Sequence, residues 1–225
     1  EQAMIDFEAI EHASVTRESF TYFASAQAMH PHDLIAVRQD FPDIDGTGVS
    51  LVDDLTFGTA FARLVNDIRS PRMVRLMSRK LSVDLDGKPL MITVRGHCHK
   101  RDGRIHTDSK DKVATALLYL NEQWNAAHPA QTGGRLRLLR GSADMDDMLA
   151  EIPPDGGTLV AFRRSDSSWH GHHPYQGPRR YVMFNWLTSQ AALSRNVARH
   201  RLSARVKRLM PFAAWTPGTG STVIR

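Results

Sequence analysis

The sequence predicts a mainly β fold of the α+β class, a sandwich or jelly-roll core with flanking helices. Three observations predict it. Short runs rich in Val, Leu, Ile, Tyr and Phe follow one another from about residue 89. Turn clusters, "DGKP", "PAQTGG", "PPDGG" and "PYQGP", separate them. Helical apolar spacing is confined to the first part and the last part of the chain, which excludes the regular alternation of a βαβ fold.

The elements follow in order. Residues 1–85 read as a mainly helical support. "FGTAFARLVNDI" places apolar residues at helical spacing, and "SPRMVRLMSRKL" opens with Ser70 at an N-cap position and Pro71 at the first helical position. Between the early elements, "DFPDIDGTG" is loop chemistry, without the ligand spacing and terminal Glu of an EF-hand. Residues 86–187 hold the strands: "PLMITVRGH", "KVATALLYLN", "GRLRLLRG", "GTLVAFRR" and "RRYVMFNWL". Residues 188–225 read as a C-terminal helix and tail. There "SRNVARHRLSARVKRL" carries a basic face and a stripe of Leu193, Val197, Val206 and Leu209. Without a repeat or a linker, the 225 residues are expected to form one domain.

Composition narrows the function classes. Hydrophobic residues make up 41% and charged residues 24%, the balance of a folded chain that buries a core. No apolar run approaches the ~18 residues of a membrane span. The first residues, "EQAMIDFEAI", have no basic region followed by an apolar one, so no signal peptide is expected. Cys98 is the single cysteine, and a cytoplasmic location is the expectation. The net charge of +5 gathers in the late helix and is read as a solvated face; no basic platform interleaved with aromatics stands out for nucleic acid.

The chemistry lies at "GRIHTDSKDK", where the chain enters a strand. Residues i and i+2 of an extended segment point the same way, so His106 and Asp108 can converge. A second histidine site stands far downstream in "SSWHGHHPYQGPRRY". Two histidines and a carboxylate on one face of a metal form the facial triad of non-haem Fe(II) chemistry. Arg180, ten residues after His170, and Tyr119 could together grip a carboxylate. "HCH" at 97–99 is read as ordinary strand rather than a zinc site, because Cys98 points away from its two neighbours.

From about Gly103 to Trp186 the chain resembles the 2-oxoglutarate- and Fe(II)-dependent oxygenases of the prolyl-hydroxylase-like branch. The resemblance rests on "HTD", "LLYLN", Trp124, "GGRLRLL", "GTLVAFRR", "WHGHHP" and "RRYVMFNW" in that order. It implies a double-stranded β-helix, the cupin-like form of the jelly roll. It implies that His106, Asp108 and His170 hold Fe(II), with His170 preferred to His172 and His173 because Pro174 follows it at the family's distance. Arg180 would pair with the far carboxylate of 2-oxoglutarate with Tyr119 assisting, and Arg179 is the alternative because the family's spacing varies. The implied reaction hydroxylates an unactivated C–H with O2 and releases succinate and CO2, ascorbate serving as an optional reductant. Asp108 favours hydroxylation over halogenation, since related halogenases lack the carboxylate.

The expected substrate is a small molecule such as an amino acid derivative. An anionic one would suit a basic mouth of Arg95, Lys110, Arg163 and Arg164. A prolyl or other peptidyl substrate is the alternative within the family. Outside it stand a non-catalytic jelly-roll binding module and a metal-dependent hydrolase, neither of which needs 2-oxoglutarate.

Overall fold

The computed structural model describes residues 3–44, 46–124 and 133–209, the stretch 203–209 by backbone alone. Ten strands form two antiparallel sheets. In chain order they are β1 (Val15–Thr16), β2 (Tyr22–Ser25), β3 (Ser50–Leu51), β4 (Leu90–Cys98), β5 (Lys112–Tyr119), β6 (Leu136–Leu139), β7 (Met148–Ile152), β8 (Leu159–Arg163), β9 (His170–Gly171) and β10 (Gly177–Leu187). The large sheet runs β1-β2-β8-β5-β10-β4-β3, and the small one runs β7-β6-β9. The two face each other as the halves of a jelly roll.

The central strands of the large sheet, β5, β8 and β10, are largely buried on both faces, which is why they read as apolar runs rather than alternating ones. Even-numbered residues of β5 and β10, Ala114, Ala116, Leu118, Val182, Phe184 and Trp186, pack against the helices. Odd-numbered ones, Leu117, Tyr119, Tyr181 and Met183, face the small sheet and meet Leu136, Leu138 and Ile152.

The helices covering the outer face are α1 (Phe7–His12), α3 (Thr59–Arg69) and α4 (Pro71–Leu81); α2 (Pro31–Gln39) precedes α3. Phe61, Leu64, Val65 and Ile68 of α3 repeat every three or four residues and are buried. Ser70 closes α3 and opens α4, its hydroxyl accepting from Met73 N at 3.2 Å, and Pro71 stands first in α4. This is the capping chemistry expected from sequence. Lys80 of α4 is buried and donates to the carbonyls of Glu11 (2.9 Å) and Ala13, tying down the end of α1.

The first 85 residues are less purely helical than expected. β1 and β2 extend the large sheet beyond β8, and β3 extends it beyond β4. Strands of two to four residues are too short to register as a periodicity. α5 (Gln190–Leu209) follows β10. Leu193 and Val197 of the expected stripe pack with Leu51, Met91 and Leu187, while the side chains of Val206 and Leu209 lie outside the described residues. Trp124 and Trp186 are both buried. No described helix is long and apolar enough to cross a membrane.

Phe184 carries the outer-face packing at the centre of β10, fully buried. Phe184→Ala is expected to cost about 3–5 kcal/mol of stability, read from the urea midpoint.

Candidate metal centre

The segment between β4 and β5 and the short strand β9 build the site. His106 and His170 form an isolated antiparallel bridge, each N–H donating to the other's carbonyl at 3.0 Å. The next step of the same ladder is His172 N to Gly103 O, 2.8 Å. Paired this way, the two imidazoles lie with ring centroids 4.3 Å apart. Asp108, two residues beyond His106, turns to the same point. His106, Asp108 and His170 each offer a ligand atom, all within 4.8 Å of one another, and no other such trio occurs among the described residues.

The proton positions follow from the partners. His106 Nδ1 donates to Arg104 O (2.8 Å) and His170 Nδ1 to Ser168 O (3.0 Å), since a carbonyl only accepts. Both Nε2 lone pairs are left for a ligand, as in metal-binding histidines oriented by a backbone carbonyl. Burial pushes the His170 imidazole down to about 4, against the pull of Asp108, so it is neutral at physiological pH. Burial alone would raise Asp108, but the Lys112 charge, the His170 imidazole once it is protonated in acid, and hydrogen bonds from Lys112 and Thr115 hold it at about 2. Two imidazoles and one carboxylate are the donor set of a facial triad, and these residues fit a divalent iron.

A cavity of about 280 Å³ opens onto the trio, with Arg179, Tyr181, Thr115, Lys112 and Arg95 in its wall. Arg179 is 3% exposed. Its Nε donates to Gly134 O (2.8 Å) and its Nη2 to the Tyr119 hydroxyl (3.2 Å). Both partners are neutral, and no carboxylate pairs with Arg179 among the described residues. Tyr119 is fully buried and reaches the cavity through Arg179.

Arg180, expected at the carboxylate anchor, is placed elsewhere. It lies on the opposite face of β10, its guanidinium 5.2 Å from the Phe41 ring centroid, beside a separate depression with Arg38 and Glu122. Tyr181, paired with Tyr119, faces the small sheet, and Arg179, next to an irregularity in the β10–β4 register between Pro178 and Tyr181, lines the same cavity as Tyr181. The alternative residue, Arg179, is therefore the one that shares a cavity with the trio.

The expected basic mouth is largely neutralised. Arg95 pairs with Asp102. Arg164 binds Asp166 at 2.8 Å and the Asp108 carbonyl at 3.1 Å, and Arg163 binds Ser82 O. Lys110 is exposed. His172 also lines the cavity, its Nδ1 on His173 O, while His173 pairs with Asp146. Buried Cys98 lies 3.9 Å from His172 Nε2, and exposed His97 points away from it.

Three residues have no counterpart in the sequence reading. Lys112 Nζ lies 2.7 Å from Asp108 Oδ1, the Thr115 hydroxyl holds Oδ2, and Asn185 Nδ2 donates to that hydroxyl at 2.8 Å. The i+4 and i+7 offsets of Lys112 and Thr115 from Asp108 were visible, as was the odd parity of Thr115 and Asn185; their partners were not.

Comparison with known proteins fits this geometry. Residues 94–188 match the family described as the 2OG-Fe(II) oxygenase superfamily. No curated protein matches the chain. Among solved structures, a Pseudomonas putida prolyl-4-hydroxylase is similar at a TM-score of 0.54 and 18% identity, covering 81% of this chain and 98% of that one. A prolyl 4-hydroxylase from Phytophthora capsici is similar at 0.55 and 15%, covering 93% and 77%. A Trichoplax adhaerens prolyl hydroxylase, in complex with a hypoxia inducible factor peptide fragment, is similar at 0.51 and 13%, covering 82% and 93%. At these identities the likeness is one of fold, the double-stranded β-helix.

Gly103 has φ +84°, and a Cβ there would strike the His172 ring. Gly87 has φ +63° in open space. Both Ala variants are expected to lose about 1–2 kcal/mol of stability from left-handed strain. Only Gly103→Ala is expected to weaken Mn(II) binding by calorimetry, because it disturbs the ladder that aligns His106 with His170.

Proposed function

Residues 94–188 match the 2OG-Fe(II) oxygenase superfamily, and from that match we propose that the chain hydroxylates an unactivated C–H bond of a small molecule. The whole chain acts as one oxygenase unit. His106, Asp108 and His170 hold Fe(II), and Arg179 binds the far carboxylate of 2-oxoglutarate. Bound there, iron and 2-oxoglutarate supply the oxidation, turning O2 and the co-substrate into a hydroxyl group, succinate and CO2.

The observation that carries this reading is Arg179, a buried guanidinium with only neutral partners, in the wall of the cavity onto which the trio opens. Burying a cation without a counter-charge is costly, so the site is built for an anion that arrives. The planar fork suits a carboxylate. Tyr119 accepts one guanidinium hydrogen bond, so its own hydroxyl proton stays available to that carboxylate or to another neighbour. Thr115, with Asn185 behind it, holds the Asp108 carboxylate in place. A binding module without chemistry would not need a triad and an anion anchor in one cavity.

The cavity of about 280 Å³ supports a small substrate beside the co-substrate. Peptidyl hydroxylation is the second reading, favoured by the exposure of His106, which leaves the trio open to a chain lying on the surface. It is also the activity named for the similar structures. Stimulation of succinate release by free amino acid derivatives, but not by prolyl peptides, would separate the two.

Anaerobic titration of the Fe(II)-loaded protein with 2-oxoglutarate is expected to give a weak visible charge-transfer band, absent in His170→Ala and Asp108→Ala. Arg179→Ala should weaken 2-oxoglutarate binding at least about tenfold, the loss of a charge-assisted pair, while Arg180→Ala leaves it unchanged. Iron binding without any band would move the binding module and the hydrolase to the front.

A further inference from the structure

Lys112 has no role in the reaction as described. Its ammonium lies in the wall of the cavity, its side chain 11% exposed, with the Asp108 carboxylate as its partner. Asp108 is also the one anionic member of the metal trio. A divalent ion and Lys112 therefore draw on the same negative charge.

We propose that Lys112 recognises a singly charged anionic group, a carboxylate, on the substrate. The proposal rests on the oxygenase reading and adds the substrate's charge to it. Its basis is the charge balance of the cavity. Fe(II), the Asp108 carboxylate, doubly charged 2-oxoglutarate and Arg179 together sum to zero. Arg95 is cancelled by Asp102. The Lys112 charge is then left over in a confined space, where an uncompensated ion is unfavourable. One more negative charge, brought by the substrate, balances it. The other basic residues near the entrance are engaged with Asp166 or with backbone carbonyls, or are fully out in solvent. Lys112 is also well suited physically: its flexible stem lets the ammonium turn from Asp108 toward an incoming group without moving β5.

The test uses Mn(II) in place of iron, with formate as the probe anion. Protein loaded with Mn(II) and 2-oxoglutarate is titrated with sodium formate while paramagnetic relaxation of the formate proton is followed. Wild type should show saturable enhancement. Lys112→Met should bind formate about tenfold more weakly or worse, and Lys112→Arg should restore binding. Equal formate affinity in wild type and Lys112→Met overturns the proposal. A second reading needs no formate. Without 2-oxoglutarate, Lys112→Met should bind Mn(II) more tightly, by about fivefold or more, because a neighbouring cation has gone. Weaker Mn(II) binding would mean that Lys112 only braces Asp108, and overturns the proposal as well. Failure of 2-oxoglutarate to bind the Mn(II) protein appears before formate is added; it identifies the oxygenase reading as the fault, and the substrate assignment falls with it.

Discussion

Two-sided burial of β5 and β10 is the constraint on which the site depends. Each strand must present an apolar stripe to the helices and a different set of residues to the small sheet. A shift of one residue would exchange every side chain between the two faces. The same parity that seals Val182, Phe184 and Trp186 against the helical layer turns Tyr181 and Asn185 toward the cavity side. Packing and site are thus one decision. The helical layer need not touch the trio to determine which residues of β10 share its cavity.

The convergence of His106, Asp108 and His170 was legible because their geometry is local or sequential. His106 and Asp108 share a face by spacing alone, and Pro174 singled out His170 from two nearby histidines. The long strands were legible as apolar runs bounded by turn residues. Which arginine shares the cavity was not: Arg179 and Arg180 are adjacent, chemically identical and both inside the expected strand. Choosing between them needs a reference for which face points inward, and a strand apolar on both faces hides that reference. β1, β2, β3 and β9 were illegible for a different reason. They are two to four residues long and exist because longer strands lend them partners.

The polar shell around Asp108 shows a third limit of pattern reading. Thr115 and Asn185 lie at β-strand positions where a hydroxyl and an amide look like ordinary inward residues. Their meaning comes from cross-strand pairing, Thr115 opposite Asn185 in the β5–β10 register. Together they form a relay of hydrogen bonds ending on the carboxylate, and such relays stiffen what they hold. The ladder from Gly103–His172 to His106–His170 does the same for the imidazoles. The centre is positioned by backbone pairing on one side and by a side-chain relay on the other.

The shortness of the outermost strands has a consequence for how the molecule lives among its own kind. The large sheet ends in β1 on one side and β3 on the other, each two residues long. Edge strands this short offer an intruding chain little to pair with, one of the ways in which sheets discourage edge-to-edge stacking. In the small sheet, β9 is equally short, and β7 carries Glu151 held by Arg135 and Arg137. A sheet with such apolar interior strands would be an aggregation hazard if its margins were long and bare. Here the outermost strands of the large sheet are short, and the apolar strands β5 and β10 lie in the middle.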